Sequence, residues 1–552
     1  MSKTSFLAVC AAVVFGFSSF GAVTEETNNH DLGAEPIDVT LDVGETNLYS
    51  GVLTGTGGVT LSSSGASTKG GAIRLSGNND FSGGVTVNGG TVYAEHANAL
   101  GTGPIVLNAT ITNSDAGLVL AADNATVGNA ITLNGNRDAA YKQPDILISG
   151  DDIVLNGELT LQTQKSTIAL DAGTAANPRE ATIDFNDMTN ATKSIFLKVG
   201  GNSSADKKDV TAKLHWKTRL GTSASANFVV SMGTTSGCGQ LLIYSQNNEL
   251  SKFNMGYASV VCMAKNVFGN QNSRACCLDC GQTASTDQYG YFDLNGYDQC
   301  ASYLGLNKSS DANFGPSRIG PEITSKSGPA TLRLYRNTDD ENITSFAIAG
   351  QVSILLDGKS PITSKWTKQY FANRTHSTSG DLIVSNGTLG VTMATTFTNL
   401  KRIIVGRRSD TYGTFDSQTT CDHAFPKLEE LIVDGVFTHT GSGTDIFPTD
   451  STMSLTITGT PVSGCAYGLV DGITNDTFFT STHQVRDLPG FRSVYALIAD
   501  RAHELKSRRT PKTHEQLREI VRRRANIRSL AELSTSQPLN FSTDFNWWYL
   551  KG

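Results

Sequence analysis

Pairs of apolar residues that stand two positions apart recur along the chain, and they limit its fold more than any other feature. The clearest pairs are Val59/Leu61, Ile73/Leu75, Val85/Val87, Ile105/Leu107, Leu118/Leu120, Ile131/Leu133, Ile146/Ile148, Ile153/Leu155, Leu159/Leu161, Ile168/Leu170 and Ile183/Phe185. Alternate residues of a β-strand face the same side, so each pair predicts a short strand with one buried face. Gly, Asn, Asp and Ser stand between the pairs and predict turns.

Strands this short cannot bury their apolar faces alone, and no helical pattern connects them. An all-β sandwich would also accommodate strands at this spacing. The length of the pattern favours a solenoid, in which successive coils stack and cover one another's apolar residues. The chain has 552 residues, of which 55 are glycine and 17% are charged, so turn residues are abundant. We therefore predict an all-β fold, a right-handed parallel β-helix.

The segment 51–108 carries the most specific pattern, in which glycines, one aromatic residue and two strand motifs follow in a fixed order. Its matching positions are Gly77, Asn79, Phe81, Gly83, Gly84, Val85, Val87, Gly90, Thr91, Val92, Ala99, Leu100 and Gly101. This segment resembles the autotransporter-associated β-strand repeat, also called the passenger-associated transport repeat. The resemblance implies one coil of a β-helix, with Val85 and Val87 pointing inward and Phe81 closing a corner.

The clearest repeat covers 51–111, and weaker echoes cover 292–305 and 379–415. We therefore assign 23–485 to a β-helix domain that resembles an autotransporter passenger. In that family the passenger is followed by a membrane barrel of amphipathic strands, and the terminal sequence NWWYLKG does not fit that pattern. The expectation is a passenger-like chain without a translocator barrel of its own.

Residues 1–22 have the layout of a secretory signal peptide. A basic residue, Lys3, precedes an apolar run, and small residues follow up to Ala22. Cys10 offers an alternative as a lipoprotein attachment site, but Val9 stands where such sites prefer a small residue. We expect a chain that is secreted or held at the cell surface.

The segment 486–552 differs in composition from the rest of the chain. From Arg486 to Leu533 there are twelve Lys and Arg residues against six Asp and Glu, and apolar residues recur at helical spacing after Pro511. This predicts a short, basic, helical C-terminal tail. A solvated appendage, a piece encoded out of register and a weak contact with an anionic membrane surface remain open as explanations.

Eight cysteines remain when Cys10 is set aside: Cys238, Cys262, Cys276, Cys277, Cys280, Cys300, Cys421 and Cys465. An even number in an exported chain predicts disulfides. The cluster at 276–280 contains a C-x-x-C spacing, which is also compatible with a zinc ion. No second motif of that kind lies nearby, so we expect disulfides and no metal.

Acidic residues are the first candidates for chemistry, because some β-helix proteins cleave polysaccharides with carboxylates or calcium. Asp145, Asp151 and Asp152 form the densest acidic group. Carboxylates at a turn most often face solvent, so this group predicts a turn rather than a metal site.

Two nucleophile arrangements can also be considered. Cys421 and His423 stand two residues apart, but the sequence displays no third group to orient the imidazole. The nearest approach to a G-D-S-G serine turn is Gly380-Asp381, which Leu382 follows. We therefore assign no catalytic, cofactor-binding or metal-binding residue, and we expect a protein that is not an enzyme.

The sequence favours a structural or adhesive surface protein whose extended polar side, lined by Thr and Asn, binds a glycan or a protein. Asn108, Asn124 and Asn190 begin N-x-S/T sequences, which we interpret as stacked side chains rather than glycan acceptors. A net charge of −7 argues against binding to nucleic acid. The alternative function is a polysaccharide lyase or glycoside hydrolase built on a β-helix.

Overall fold

The structure is a computed structural model, and it describes residues between 23 and 457. Gaps in the description fall at 34–35, 64–69, 109–116, 135–143, 163–164, 191–193, 201–209, 221–228, 233–238, 255–258, 270–275, 280–289, 306–321, 336–340, 345, 358–367, 409–410, 434–435, 440, 443–445 and 447–453. The chain forms two compact units, Met1–Ser245 and Gln246–Gly552. The predicted signal peptide (1–22) and basic tail (486–552) lie outside the described residues.

In the first unit the regular elements of the described residues are strands. They are β1 (Val23–Glu26), β2 (His30–Asp31), β3 (Ile37–Leu41), β4 (Thr46–Tyr49), β5 (Leu53–Thr54), β6 (Val59–Ser63), β7 (Ala72–Leu75), β8 (Val85–Val87), β9 (Thr91–Ala94), β10 (Ile105–Leu107), β11 (Gly117–Leu120), β12 (Thr126–Val127), β13 (Ile131–Leu133), β14 (Ile146–Ile148), β15 (Ile153–Leu155), β16 (Glu158–Leu161), β17 (Lys165–Leu170), β18 (Arg179–Ile183), β19 (Asp187–Asn190), β20 (Ser194–Val199), β21 (Ala212–Trp216), β22 (Val229–Met232) and β23 (Gly239–Ile243).

Most of these strands form three parallel sheets, which are the sides of a coil, and β2 and β5 form a separate parallel pair. Sheet 1 has the order β1-β4-β7-β9-β11-β14-β17-β20-β22, sheet 2 the order β3-β6-β8-β10-β13-β16-β19, and sheet 3 the order β12-β15-β18-β21-β23. From β10 to β21 the chain visits sheets 2, 1 and 3 in turn. Each strand therefore pairs with its equivalent in the next coil, and the predicted parallel β-solenoid is confirmed.

The predicted apolar pairs fill the interior of this unit. In sheet 2 the inward residues stack in register as one column: Val59, Val85, Ile105, Ile131, Leu159 and Met188. Each of them is at most 4% exposed. Burying such a side chain contributes about 1.5–3 kcal/mol to the free energy of folding. Because each coil adds one buried residue to the column, short strands together accumulate enough of this free energy to stabilise the fold.

The corner predicted at Phe81 is also confirmed. Phe81 is fully buried, and the neighbouring Asn79 is 3% exposed. The Asn79 side chain accepts a hydrogen bond from the Leu53 N–H at 2.8 Å and donates one to the Ala99 carbonyl at 2.7 Å, so it joins three coils. Gly101 has φ +60°, and a Cβ there would lie 2.3 Å from the Phe81 carbonyl oxygen. The A-L-G turn therefore requires its glycine.

The described residues of the second unit also form strands. They are β24 (Lys252–Asn254), β25 (Ser259–Cys262), β26 (Cys277–Asp279), β27 (Tyr291–Asp293), β28 (Gln299–Ala301), β29 (Tyr303–Leu304), β30 (Glu322–Thr324), β31 (Ala330–Leu334), β32 (Glu341–Thr344), β33 (Ala347–Ile348), β34 (Val352–Asp357), β35 (Lys368–Ala372), β36 (Thr375–His376), β37 (Asp381–Met393), β38 (Thr396–Phe397), β39 (Arg402–Val405), β40 (Arg407–Arg408), β41 (Thr411–Thr419), β42 (Glu430–Val433), β43 (Val436–His439) and β44 (Ser454–Ile457).

The second unit is again a parallel coil, but its strands are less uniform. The long strand β37 belongs to two sheets: its first part pairs with β34 and β39, and its second part pairs with β35 and β41. Gly387, with φ +85°, stands where the strand changes sheet. Among the described strands of this unit, one pair is antiparallel, β40 with β41. The echo predicted at 379–415 therefore does adopt coil structure.

The interior of the second unit contains stacks of aromatic rings. The ring of Phe292 lies 5.7 Å from Phe253, 5.4 Å from Phe268 and 5.9 Å from Phe346, measured between centroids. His376 is fully buried and stacks on Phe397 at 4.1 Å with an angle of 13°. The interior of this unit therefore combines aromatic contacts with aliphatic columns, such as Leu332, Ile354, Leu382 and Ile403.

The prediction of disulfides is wrong for the cysteines that the structure describes. Cys262, Cys276, Cys277 and Cys300 are buried and form no disulfide, and the half-buried Cys421 forms none either. Burial raises the pKa of Cys262 and Cys276 well above the usual value, and it raises the pKa of Cys300 to about 11. These residues fill interior positions as small apolar side chains. Cys10, Cys238, Cys280 and Cys465 lie outside the described residues.

Candidate functional site

A column of threonines runs along the outer face of sheet 2 in the first unit. Thr60, Thr86, Thr132, Thr160 and Thr189 occupy equivalent outward positions, and Val106 interrupts the column once. Each alternates with the buried residues of the same strand, which is why its hydroxyl faces outward. Neighbouring coils are about 4.8 Å apart, so the column repeats one hydroxyl at nearly constant spacing.

A second column lies beside the first, two residues further along each strand. Asn108 donates a hydrogen bond to the Asn88 side-chain oxygen at 2.8 Å, and Asn134 donates one to the Asn108 oxygen at 2.8 Å. Ser62 precedes this ladder in the same register. Asn108 uses one donor and one acceptor on its neighbours, and a side-chain amide has two donors and an oxygen with two lone pairs, so hydrogen-bonding capacity remains for a ligand.

We name these two columns the polar face. From Thr60 to Thr189 its side chains are hydroxyls, amides and one valine, with no charged group in either column. The predicted Thr/Asn-lined side is therefore present on sheet 2, and Asn108 stacks there as predicted. Asn124 instead occupies a left-handed turn with φ +56°, and the side chain of Asn190 is not described.

A different kind of site lies on the outer face of sheet 3. The Glu180 carboxylate contacts the Lys213 ammonium at 2.7 Å and the His215 Nε2 at 3.1 Å. The His215 Nδ1 lies 3.0 Å from the Tyr244 hydroxyl, and the two rings stack with centroids 5.9 Å apart. We name these four residues the sheet 3 cluster. It combines a carboxylate, an ammonium, an imidazole and a phenol on three successive coils.

The charge state of the cluster follows from its contacts. The Lys213 hydrogen bond is the main reason that the pKa of Glu180 is lowered, so this side chain is a carboxylate at neutral pH. Burial raises the pKa of Tyr244, and the Glu180 charge raises it further, so Tyr244 is a neutral phenol. The side chains of Glu180, Lys213 and His215 are 35%, 33% and 21% exposed. A ligand in solvent can therefore reach them.

The acidic group predicted from the sequence has a structural role. Asp145 is 1% exposed, and its carboxylate accepts the Thr167 N–H at 2.7 Å. Asp151 accepts the N–H of Glu180 at 2.8 Å, and Asp152 adopts a left-handed conformation with φ +52°. The Asp145 and Asp151 carboxylates therefore hold the backbone of the next coil. Within the described ranges, no three His, Cys, Asp or Glu side chains converge as a metal site requires.

The two nucleophile arrangements are not brought together. Cys421 follows the end of β41, and the exposed His423 has φ +52°, so both lie in a turn and not on a strand face. No hydrogen bond joins their side chains in this part of the described chain. Asp381 begins β37 and binds the Arg402 guanidinium at 2.9 Å. It therefore forms an ion pair across two coils.

Sequence analysis missed the sheet 3 cluster entirely. Glu180 and His215 are 35 residues apart, and His215 and Tyr244 are 29 residues apart. Each contact depends on the lengths of whole coils, which a local motif does not encode. The alternation in Ala212–Trp216, with Lys213 and His215 facing outward, is the one signal that pointed to an outward pair of polar residues.

Comparison with known protein families, with curated proteins and with solved structures finds no match for this chain. The described residues include no helix that is both long and apolar enough to cross a membrane.

Proposed function

We propose that this protein is a structural or adhesive surface protein that binds glycan chains through the polar face of its first unit. The observation that carries the proposal is the pair of in-register columns, Thr beside Asn, repeated along sheet 2. Repetition at a fixed spacing suits a ligand that is itself a repeating polymer.

The chemistry of the two columns favours a neutral glycan. Sugar hydroxyls both donate and accept hydrogen bonds, and threonine hydroxyls and asparagine amides do the same. The columns hold no charged side chain that would select an acidic polymer. Each contact contributes about 0.5–1.5 kcal/mol, so affinity comes from several coils acting together.

The test is binding of the full chain to a panel of neutral polysaccharides, among them β-glucan, mannan and xylan. The variant combines Thr86→Val, Thr132→Val and Thr160→Val, which removes three hydroxyls and keeps the branched shape of each side chain. We expect the triple variant to bind roughly 10- to 1000-fold more weakly, because three hydrogen bonds are lost. Each single variant should lose about 2- to 10-fold.

The matched control combines Thr126→Val and Thr182→Val on the outer face of sheet 3. It removes the same chemical group from the same unit and should bind like the wild type. The proposal is wrong if no polysaccharide binds, or if the triple variant binds as tightly as the control.

The export and anchoring of the chain belong to the same proposal. The layout of residues 1–22 supports cleavage and secretion, which N-terminal sequencing of the exported protein would test. The basic composition of 486–552 supports a weak contact with anionic membrane surfaces. That contact should weaken with added salt and disappear in a chain that ends at residue 485.

A further inference from the structure

The sheet 3 cluster contains a relay of three hydrogen-bonding groups in a line. Glu180 lies on β18, His215 on the neighbouring strand β21, and Tyr244 directly after β23. The imidazole bridges the other two, with Nε2 at 3.1 Å from the carboxylate and Nδ1 at 3.0 Å from the phenol. A carboxylate that orients an imidazole beside a hydroxyl is the geometric arrangement used in acid–base and nucleophilic catalysis.

The direction of each hydrogen bond follows from the donor inventory. A carboxylate only accepts, so the Nε2–H of His215 donates to Glu180. The Nδ1 of the neutral ring then carries a lone pair, and the Tyr244 hydroxyl donates to it. The phenol oxygen keeps its own lone pairs for a ligand. When Tyr244 takes a proton from a ligand, its original proton moves to His215, and Glu180 stabilises the positive charge that results.

Lys213 supplies the cation beside this relay. Its ammonium has three protons, of which one donates to Glu180 at 2.7 Å. The remaining protons can donate hydrogen bonds to the carboxylate of a ligand. The cluster therefore offers a general base at the Tyr244 end and a cation at the Glu180 end. A polyuronate fits both groups, because a carboxylate of the polymer can meet Lys213 while a C5–H bond of the polymer lies at Tyr244.

We propose that the sheet 3 cluster is an acid–base site that cleaves uronate-containing polysaccharides by β-elimination. Tyr244 takes the proton from C5 while its own proton passes to His215. The C5–H electron pair forms the C4=C5 double bond, and the C4–O4 bond breaks with its electron pair on O4. Tyr244 then gives the proton to O4 and recovers its own from His215. The step consumes no water and needs no other reactant.

This activity is separate from glycan binding on sheet 2, and the test keeps them apart. The full chain is incubated with polygalacturonate, alginate, glucuronan and hyaluronan, and products are followed by the ultraviolet absorbance of the double bond and by mass spectrometry. We expect unsaturated oligosaccharides from at least one polymer. Tyr244→Phe should lower kcat by roughly 10²- to 10⁴-fold with little change in KM, because it removes the hydroxyl and keeps the ring stack.

Two further variants separate the roles within the cluster. His215→Asn should also lower kcat, whereas Lys213→Met should mainly raise KM because substrate carboxylate binding is lost. The matched control is Arg74→Ala, which breaks the ion pair with Glu95 on sheet 1 of the same unit and should leave the rate unchanged. A lack of unsaturated product from every polymer, or a wild-type rate in Tyr244→Phe, would overturn the proposal. The triple threonine variant of sheet 2 should retain the wild-type kcat.

Discussion

The two compact units share a parallel coil with aliphatic columns, and the second unit adds clusters of aromatic rings to them. In the first unit, single aliphatic residues stack in columns such as Val85, Ile105 and Ile131. In the second, rings such as Phe253, Phe268 and Phe292 meet edge to face. A second group there buries His376 against Phe371 and Phe397. A column distributes stability over many equivalent positions, whereas a ring cluster concentrates it in few. The first unit should therefore tolerate substitution better than the second.

The largest expected effect is in the ring cluster of the second unit. Phe292→Ala removes a fully buried ring that contacts three other aromatic rings. The free energy of unfolding should fall by about 5 kcal/mol, from the cavity and the lost ring contacts. Chemical denaturation, monitored by hydrogen exchange of individual segments, would assign the loss of stability to this unit. A loss below about 1 kcal/mol would show that the rings do not concentrate stability.

A pH effect should distinguish the second unit from the first. Burial, together with the Arg374 charge, lowers the pKa of His376 from 6.5 to about 3. The unfolded chain gains this proton below about pH 6.5, and the folded chain gains it only near pH 3. The unfolded state therefore binds more protons across this window, so stability falls as the pH falls.

The expected loss is roughly 3 kcal/mol between pH 7 and pH 4. His376→Asn cannot titrate, and its side-chain oxygen can replace the ring nitrogen that accepts the Ile348 N–H at 3.0 Å. Its stability should therefore change less between the two pH values. Equal pH profiles for wild type and variant, measured by urea denaturation, would argue against a neutral buried imidazole.

A smaller effect is expected in the aliphatic columns. Ile131→Val removes one methylene from a residue that is 1% exposed, with Ile105 and Leu159 above and below it. The free energy of unfolding should fall by about 1 kcal/mol. Thr132→Val on the adjacent outward position should change stability by less than this and serves as the control. A loss as large as that of Phe292→Ala would remove the contrast between the units.

The thiols of the second unit should differ clearly in reactivity, and this prediction involves the smallest effect on stability. Cys262, Cys276, Cys277 and Cys300 are buried, whereas Cys421 is half-buried at a turn. Among these five cysteines, Cys421 should be alkylated first in the native protein, and the four buried thiols should react only as the unit unfolds. Peptide mapping after timed labelling measures this order. Rapid labelling of the buried thiols would contradict the tight interior.

Some of this structure could be read from the sequence and some could not. The apolar pairs correctly identify buried columns such as Ile131 and Leu133, because alternation along a strand is a local property. Contacts between coils depend on loop length, which varies: the Asn88–Asn108 contact spans 20 residues and the Asn108–Asn134 contact spans 26. The sequence therefore predicts that a face lined by Thr and Asn exists, but it does not predict which residues form that face.

The cysteines and the ring clusters illustrate the second limit. Cysteine counting assumes that exported thiols pair, yet the coil uses Cys262 and Cys276 as interior residues. The phenylalanines around Phe292 come from coils of unequal length, so no fixed period marks them. The relay on sheet 3 was missed for the same reason, since Glu180, His215 and Tyr244 each come from a different coil.

In-register stacking of the polar face is the claim on which the account depends, and engineered disulfides test it directly. Thr86 and Val106 are register partners, so Thr86→Cys with Val106→Cys places two Cα atoms about 4.8 Å apart, within bridging range. Thr86→Cys with Asn108→Cys places them about 8 Å apart, beyond that range. Mass-spectrometric mapping after mild oxidation should find a disulfide in the first pair only. A disulfide in the second pair, with none in the first, would contradict the columns.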